Sequence, residues 1–166
     1  MAHNLIAHSV TGEVPMAFTG ERSAIWHGLG QQLDDSKGID DWIQAAGFNW
    51  DIVSTPAFFP DAKGQYVEFP GKQVLRRSDT DEPLSIVSDS FKVVQPKEVL
   101  EFFRDLTENH DMKLSTAGII GNGKRFWALA DMGKEAEITM GDKIRGQLLL
   151  TSSSDGQQST TAKFVS

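Results

Sequence analysis

Leu114-Ser115-Thr116-Ala117-Gly118-Ile119-Ile120-Gly121-Asn122-Gly123-Lys124-Arg125-Phe126-Trp127-Ala128-Leu129-Ala130-Asp131 is the stretch on which the fold turns. Residues 114–120 and 124–130 are suited to strands and flank Gly-Asn-Gly, and Asn-Gly between such runs is a strong short-range hairpin signal. The second strand opens with two cations and two aromatics, Lys124-Arg125-Phe126-Trp127, beside the tight tip. That mixture suits a grip on a nucleic-acid backbone with stacking on its bases. Side chains alternate along a strand, so Lys124, Phe126 and Ala128 share one face, and Arg125, Trp127 and Leu129 the other. Once one face is covered, the exposed face carries either Phe126 with Lys124 or Trp127 with Arg125.

A helix is predicted to supply that cover. Pro96 suits a first helical position, and Val99, Leu100, Phe103 and Leu106 recur at three- and four-residue spacing over residues 96–108, with Phe102 broadening the stripe. A shorter helix is expected over 39–46, where Ile39, Trp42, Ile43 and Ala46 share a face and Gly47 stands at the C-terminal cap. Residues 48–55 alternate Phe48, Trp50 and Ile52 against Asn49, Asp51 and Val53, as a half-buried strand does, and Pro56 is expected to end it. A meander of 66–69, 73–77 and 84–88 follows, broken at Pro70-Gly71 and at the acidic turn 78–83. Residues 132–141 read as a polar connection, and 144–151 with 160–165 as a further strand pair. The expected architecture is α+β: an antiparallel β-sheet with hairpins, one main helix packed on a face, and one short N-terminal helix. Residues 1–24 read as an irregular N-terminal arm and 25–166 as a single α+β domain. The chain ends inside an apparent strand, Lys163-Phe164-Val165-Ser166, and is read as truncated there.

Charge argues against nucleic acid at first sight, because the net charge is −7. Its distribution is uneven. Residues 1–71 hold three cations against nine acids, whereas 72–166 hold thirteen against fourteen. A local basic surface can therefore be assembled in the later part of the chain. With no cysteine, disulfides and thiolate metal sites are excluded. No apolar run approaches the ~20 residues that span a bilayer, so the reading is a cytoplasmic protein with no membrane partner.

Enzyme signatures are missing. Residues 118–124 lack the spacing and the following Ser or Thr of a phosphate-binding loop, and no nucleophile elbow, His-Glu-x-x-His helix or calcium loop occurs. His3, His8 and His27 have no partners at metal-ligand spacing, and Ser152-Ser153-Ser154-Asp155 reads as a hydrophilic hairpin loop. Asp40 and Asp41 suit the first turn of a helix, and Arg76 and Arg77 are expected to pair with Asp79, Asp81 or Glu82. No catalytic residue, metal or cofactor is assigned.

Several segments occur in the order of a known family: Ile25-Trp26-His27-Gly28-Leu29-Gly30, Ala45-Ala46-Gly47-Phe48-Asn49-Trp50, Val93-Val94-Gln95-Pro96, Ala117-Gly118 with Lys124-Arg125-Phe126-Trp127-Ala128-Leu129-Ala130, and Leu148-Leu149-Leu150-Thr151-Ser152-Ser153-Ser154-Asp155-Gly156. Together they resemble the phage/plasmid-like protein family, a domain of unknown function numbered 932. The resemblance implies a phage, prophage or mobile-element origin and a longer chain, and supplies no catalytic residues. A fold-level similarity to phage single-strand annealing proteins adds the expectation of a homo-oligomer. The functional expectation is binding of single-stranded DNA, promoting strand annealing in recombination. Lys124, Arg125, Lys143 and Arg145 would contact the backbone, and Phe126 or Trp127 would stack. The alternative is a module that binds a host protein, as a defence inhibitor or DNA mimic, through the acidic N-terminal part that holds Asp34, Asp35, Asp40 and Asp41.

Overall fold

The computed structural model describes residues 14–20, 29–139 and 142–165, with backbone alone for 134–139 and 142–144. His3, His8, Trp26 and His27 lie outside these residues. The chain is a mixed α+β protein, with two α-helices and mostly antiparallel sheets among the described residues. Strands β1 (Met16–Phe18) and β2 (Gln31–Gln32) precede helix α1 (Ile39–Ala45). Strands β3 (Ile52–Pro60), β4 (Tyr66–Arg77) and β5 (Pro83–Ser88) lead to helix α2 (Pro96–Glu108), and β6 (Lys113–Ile120), β7 (Arg125–Thr139), β8 (Asp142–Ser153) and β9 (Thr161–Val165) complete the order.

The hairpin around Gly121-Asn122-Gly123 is the centre of a six-stranded sheet ordered β2-β1-β6-β7-β8-β9, in which only β1 and β2 run parallel. Its tip is a short 3-10 turn with positive φ at Gly121, Asn122 and Gly123. Asn122 takes this conformation at 61°, which asparagine tolerates better than most residues. A second sheet, β3-β4-β5, is hydrogen-bonded separately, and its Ile52, Leu75, Leu84 and Val87 join the same core as the first.

The helix α2 buries Val99, Leu100 and Phe103, which join Ala128, Ala130, Leu148 and Leu150 in one core. Gln95 caps it and also reaches across to β3: its carboxamide accepts from the Ile52 N–H at 2.7 Å and donates to the Ile52 carbonyl at 3.1 Å, standing in for a neighbouring strand. Phe48 and Trp50 continue the core against Phe126, with ring centroids 5.7 and 5.8 Å apart. Among the described residues no helix is long and apolar enough to cross a membrane.

Five local expectations are corrected. Part of the segment read as an irregular arm forms β1, whose three residues are too few to show a period and take their pairing from β6. Pro56 does not end its strand, because β3 lies at the edge of its sheet, where a missing N–H is tolerated, and the register shifts between Pro56 and Phe58. Pro70-Gly71 does not divide β4, because that register shift leaves the dipeptide without a partner in β3. Of the segment 132–141 read as a connection, 132–139 is strand, and 140–141 lie outside the described residues. There β7 and β8 continue as a two-stranded ribbon beyond the core, with Glu135 opposite Arg145 and Glu137 opposite Lys143, a pairing that calls for no apolar pattern. The strand expected over 48–55 begins only at Ile52, although Phe48 and Trp50 are buried and Asn49 and Asp51 exposed as the alternation requires. Phe102 sits at the rim of the helix stripe and is 47% exposed.

Candidate nucleic-acid interface

Packing of α2 decides which ring of the hairpin is available. Phe126 lies on the helix side, 2% exposed, with Ala128 and Ala130 along the same strand. It cannot stack on a base, and its assignment as a binding residue is corrected. Trp127 lies on the opposite side and is half-buried.

The register places a set of polar and cationic residues around Trp127. Gly118 and Thr151 are its neighbours across β6 and β8, Arg125 precedes it by one strand period, and Thr161 and Lys163 follow on β9 opposite Thr151 and Leu149. Arg125, Trp127, Thr151, Thr161 and Lys163 line an open cavity of about 250 Å³ together with Ile120, Phe126, Leu149 and Gln158. Toward β1 the same side is closed, since Met16 and Phe18, opposite Gly118 and Thr116, are buried. The accessible surface is therefore the β7–β9 half of the sheet.

Glycine at 118 makes this surface. A Cβ there would fall 2.2 Å from the Trp127 Cη2, so the indole can lie flat across β6 only because position 118 has no side chain. Gly118→Ala is accordingly expected to displace the ring and cost about 1–3 kcal/mol through overpacking. Urea titration would measure the loss, and tryptophan emission, compared with that of Trp127→Phe, would report the displacement.

Electrostatics separate this surface from the rest of the molecule. Arg76 pairs with Asp81, Arg77 with Asp79, and Arg104 with Asp40, Glu101 and Glu108. Among the described residues no carboxylate pairs with Arg125 or Lys163. The Arg125 guanidinium donates only to the neutral Gln157 carboxamide, at 3.3 Å. Lys124 is exposed at the tip of the hairpin, where its carbonyl accepts from the Ser154 N–H at 2.9 Å.

The loop between β8 and β9 frames the same surface. Ser153, buried, donates to the Gln158 carbonyl at 2.7 Å and accepts from its N–H at 3.2 Å. Gln158 Nε2 then reaches the Thr151 hydroxyl at 3.3 Å, and Thr151 and Thr161 share a hydrogen bond of 2.9 Å. Ser154 donates to the Gly123 carbonyl at 2.8 Å, tying the loop to the hairpin tip. With Ser152 hydrogen-bonded to Thr160 at 2.8 Å, the three serines hold a platform in place, with no histidine beside them among the described residues.

Lys143 and Arg145 do not join the cluster. Arg145 and Ser153, the partner of Arg125, are eight positions apart on β8, about 26 Å along an extended strand. Arg145 lines a different cavity, of about 330 Å³, with Asp35, Asp111 and Asp131. Sequence reasoning missed Lys163, Thr151 and Gln158. The cations at 125 and 163 come together only through two strand registers, and no local pattern announces that.

No curated protein and no solved structure matches this chain. A family model does, that of the Domain of unknown function (DUF932), over residues 83–166. The matched half runs from the first residue of β5 to the last of the sequence and contains α2 and the strands β6 to β9, hence the whole surface around Trp127. By this match the chain belongs to the DUF932 family.

Proposed function

We propose that the β7–β9 face binds single-stranded DNA, in a phage or mobile-element protein that promotes strand annealing during recombination. The observation that carries this reading is the indole of Trp127, laid over Gly118 on an open cavity that it shares with two cations, which have no acidic partners among the described residues. A base stacks on the ring, while Arg125 and Lys163, with Lys124 at the tip, take the phosphates. Such stacking contributes about 1–3 kcal/mol per base, enough to offset a modestly unfavourable overall charge.

Binding of a labelled oligonucleotide across a salt series tests it. The intact chain is expected to bind at low salt, Trp127→Ala to weaken binding about 5- to 150-fold, and Arg125→Ala to reduce the slope of log affinity against log salt by about 0.7. Absence of binding at low salt overturns the reading.

A host protein as partner is the rival. Three of the acids that it would meet already have partners within the chain: Asp34 accepts from the Ser36 N–H at 2.8 Å, Asp40 pairs with Arg104 at 2.8 Å, and Asp41 accepts from the Gly38 N–H at 3.2 Å. Charge reversal at these residues leaves DNA binding intact under the present reading.

A further inference from the structure

The outer part of the β3–β4 hairpin, beyond Phe58 and before Gly71, is an arm that pairs with no other element among the described residues. Every residue over 62–72 is exposed, and Phe58, Phe59, Tyr66 and Phe69 are 43–79% exposed. The arm is nevertheless well formed. Phe58, Phe59 and Pro60 pair with Glu68, Val67 and Tyr66, and at the tip the Asp61 carboxylate accepts from the Lys63 and Gln65 N–H groups at 2.8 and 2.9 Å. Alternation places Phe59, Val67 and Phe69 on one face, where the two rings meet edge to face at 6.4 Å, and Phe58, Pro60 and Tyr66 on the other.

We infer that this arm is a self-association device, clasped by the same arm and adjoining body of a second copy of the chain. Three observations select that occupant. Aromatic side chains bury about 150–250 Å² each when fully covered, and these four are a little over half exposed on average, so they offer on the order of 400–500 Å² of apolar surface. A standard interface of about 800 Å² per partner, a little over half of it apolar, needs about that amount. Charge points the same way: residues 56–72 hold two acids, Asp61 and Glu68, and two lysines, Lys63 and Lys72. The arm is neutral in a chain of net charge −7, so two copies can bring it together without adding to their mutual repulsion. The geometry then sets the mode of contact. Pro56 and Pro60 remove N–H donors from the β3 edge and Pro70 one from β4, which weakens strand addition, and rings on both faces call for enclosure. Reciprocal exchange about a two-fold axis provides it.

The test is sedimentation of the intact chain between 1 and roughly 200 μM, a range that brackets affinities typical of modest interfaces. A concentration-dependent dimer is expected, and Phe59→Asp with Tyr66→Lys should raise its dissociation constant at least ~100-fold with unchanged circular dichroism. Because the chain has no cysteine, Ala62→Cys adds a unique spin-label site at the tip, and dipolar coupling between copies is expected. A monomer throughout the range overturns the inference, whether or not the arm binds lipid vesicles. So does a dimer that the arm variant leaves intact. DNA binding is a separate readout, so failure of the DNA reading leaves this result interpretable.

Discussion

Replacing Phe126 by alanine is expected to destabilise the protein by about 3–5 kcal/mol, the range for removing a large buried aromatic. The ring is 2% exposed and fills the junction between the helix-covered sheet and the segment leading to β3, with Phe48 edge-on and Trp50 tilted against it. Its removal leaves a cavity bounded by two other rings, which cannot close without moving α1 and β3 together. The adjacent substitution, Trp127→Ala, removes a ring of greater size from the half-buried side and is expected to cost less stability while carrying the loss of oligonucleotide binding. Urea denaturation of the two variants decides the matter. A shift of midpoint that is large for Phe126 and small for Trp127, at unchanged m-value, is the expected result, and equal shifts would mean that both rings are core.

Arg77→Met is the second large effect, expected at about 1.5–3 kcal/mol because it removes the charge-assisted hydrogen bonds of a nearly buried guanidinium. Arg77 donates from Nε and Nη2 to the Asp79 carboxylate at 2.9 and 2.7 Å, from Nη1 to the Asn122 carbonyl at 3.1 Å, and lies 4.0 Å over the Trp50 ring. It therefore fastens the end of β4 to the turn between β6 and β7, and methionine keeps the stem while losing all four contacts. The pair also carries a pH signature. The side-chain hydrogen bond from Arg77 holds the Asp79 carboxyl below its ordinary value of 3.8. A carboxylate with a lowered folded-state value contributes stability that is fully present above the ordinary value and lost as pH falls below it toward the folded-state value. Acid titration of stability should show that loss in the native chain and a flatter profile in Arg77→Met.

Much of the local structure was legible in the sequence because local rules produced it. Pro96 and the three- and four-residue spacing of Val99, Leu100, Phe103 and Leu106 define α2 to its ends. Gly47, with φ of +74°, closes α1 where a left-handed cap was expected. Arg76 and Arg77 found their partners among the acids two to five residues away, as proximity along the chain favours. The breaks were read less well. Pro56 and Pro70 suggest strand ends, yet an edge position and a register shift accommodate both, and sequence carries no mark of which strand is an edge.

The sequence by itself determined that a hairpin bearing Lys124, Arg125, Phe126 and Trp127 lies at the heart of an α+β protein, and that only one ring could face outward. It could not say which ring. A period of two is unchanged by exchanging the faces of a strand, so the choice fell to α2, whose docking buries Phe126 and leaves Trp127 on the far side. Tertiary structure also set Lys163 on the same cavity as Arg125, two strands over, and carried Arg145 about 26 Å away. Positions distant along the chain become neighbours, or fail to, through strand register alone.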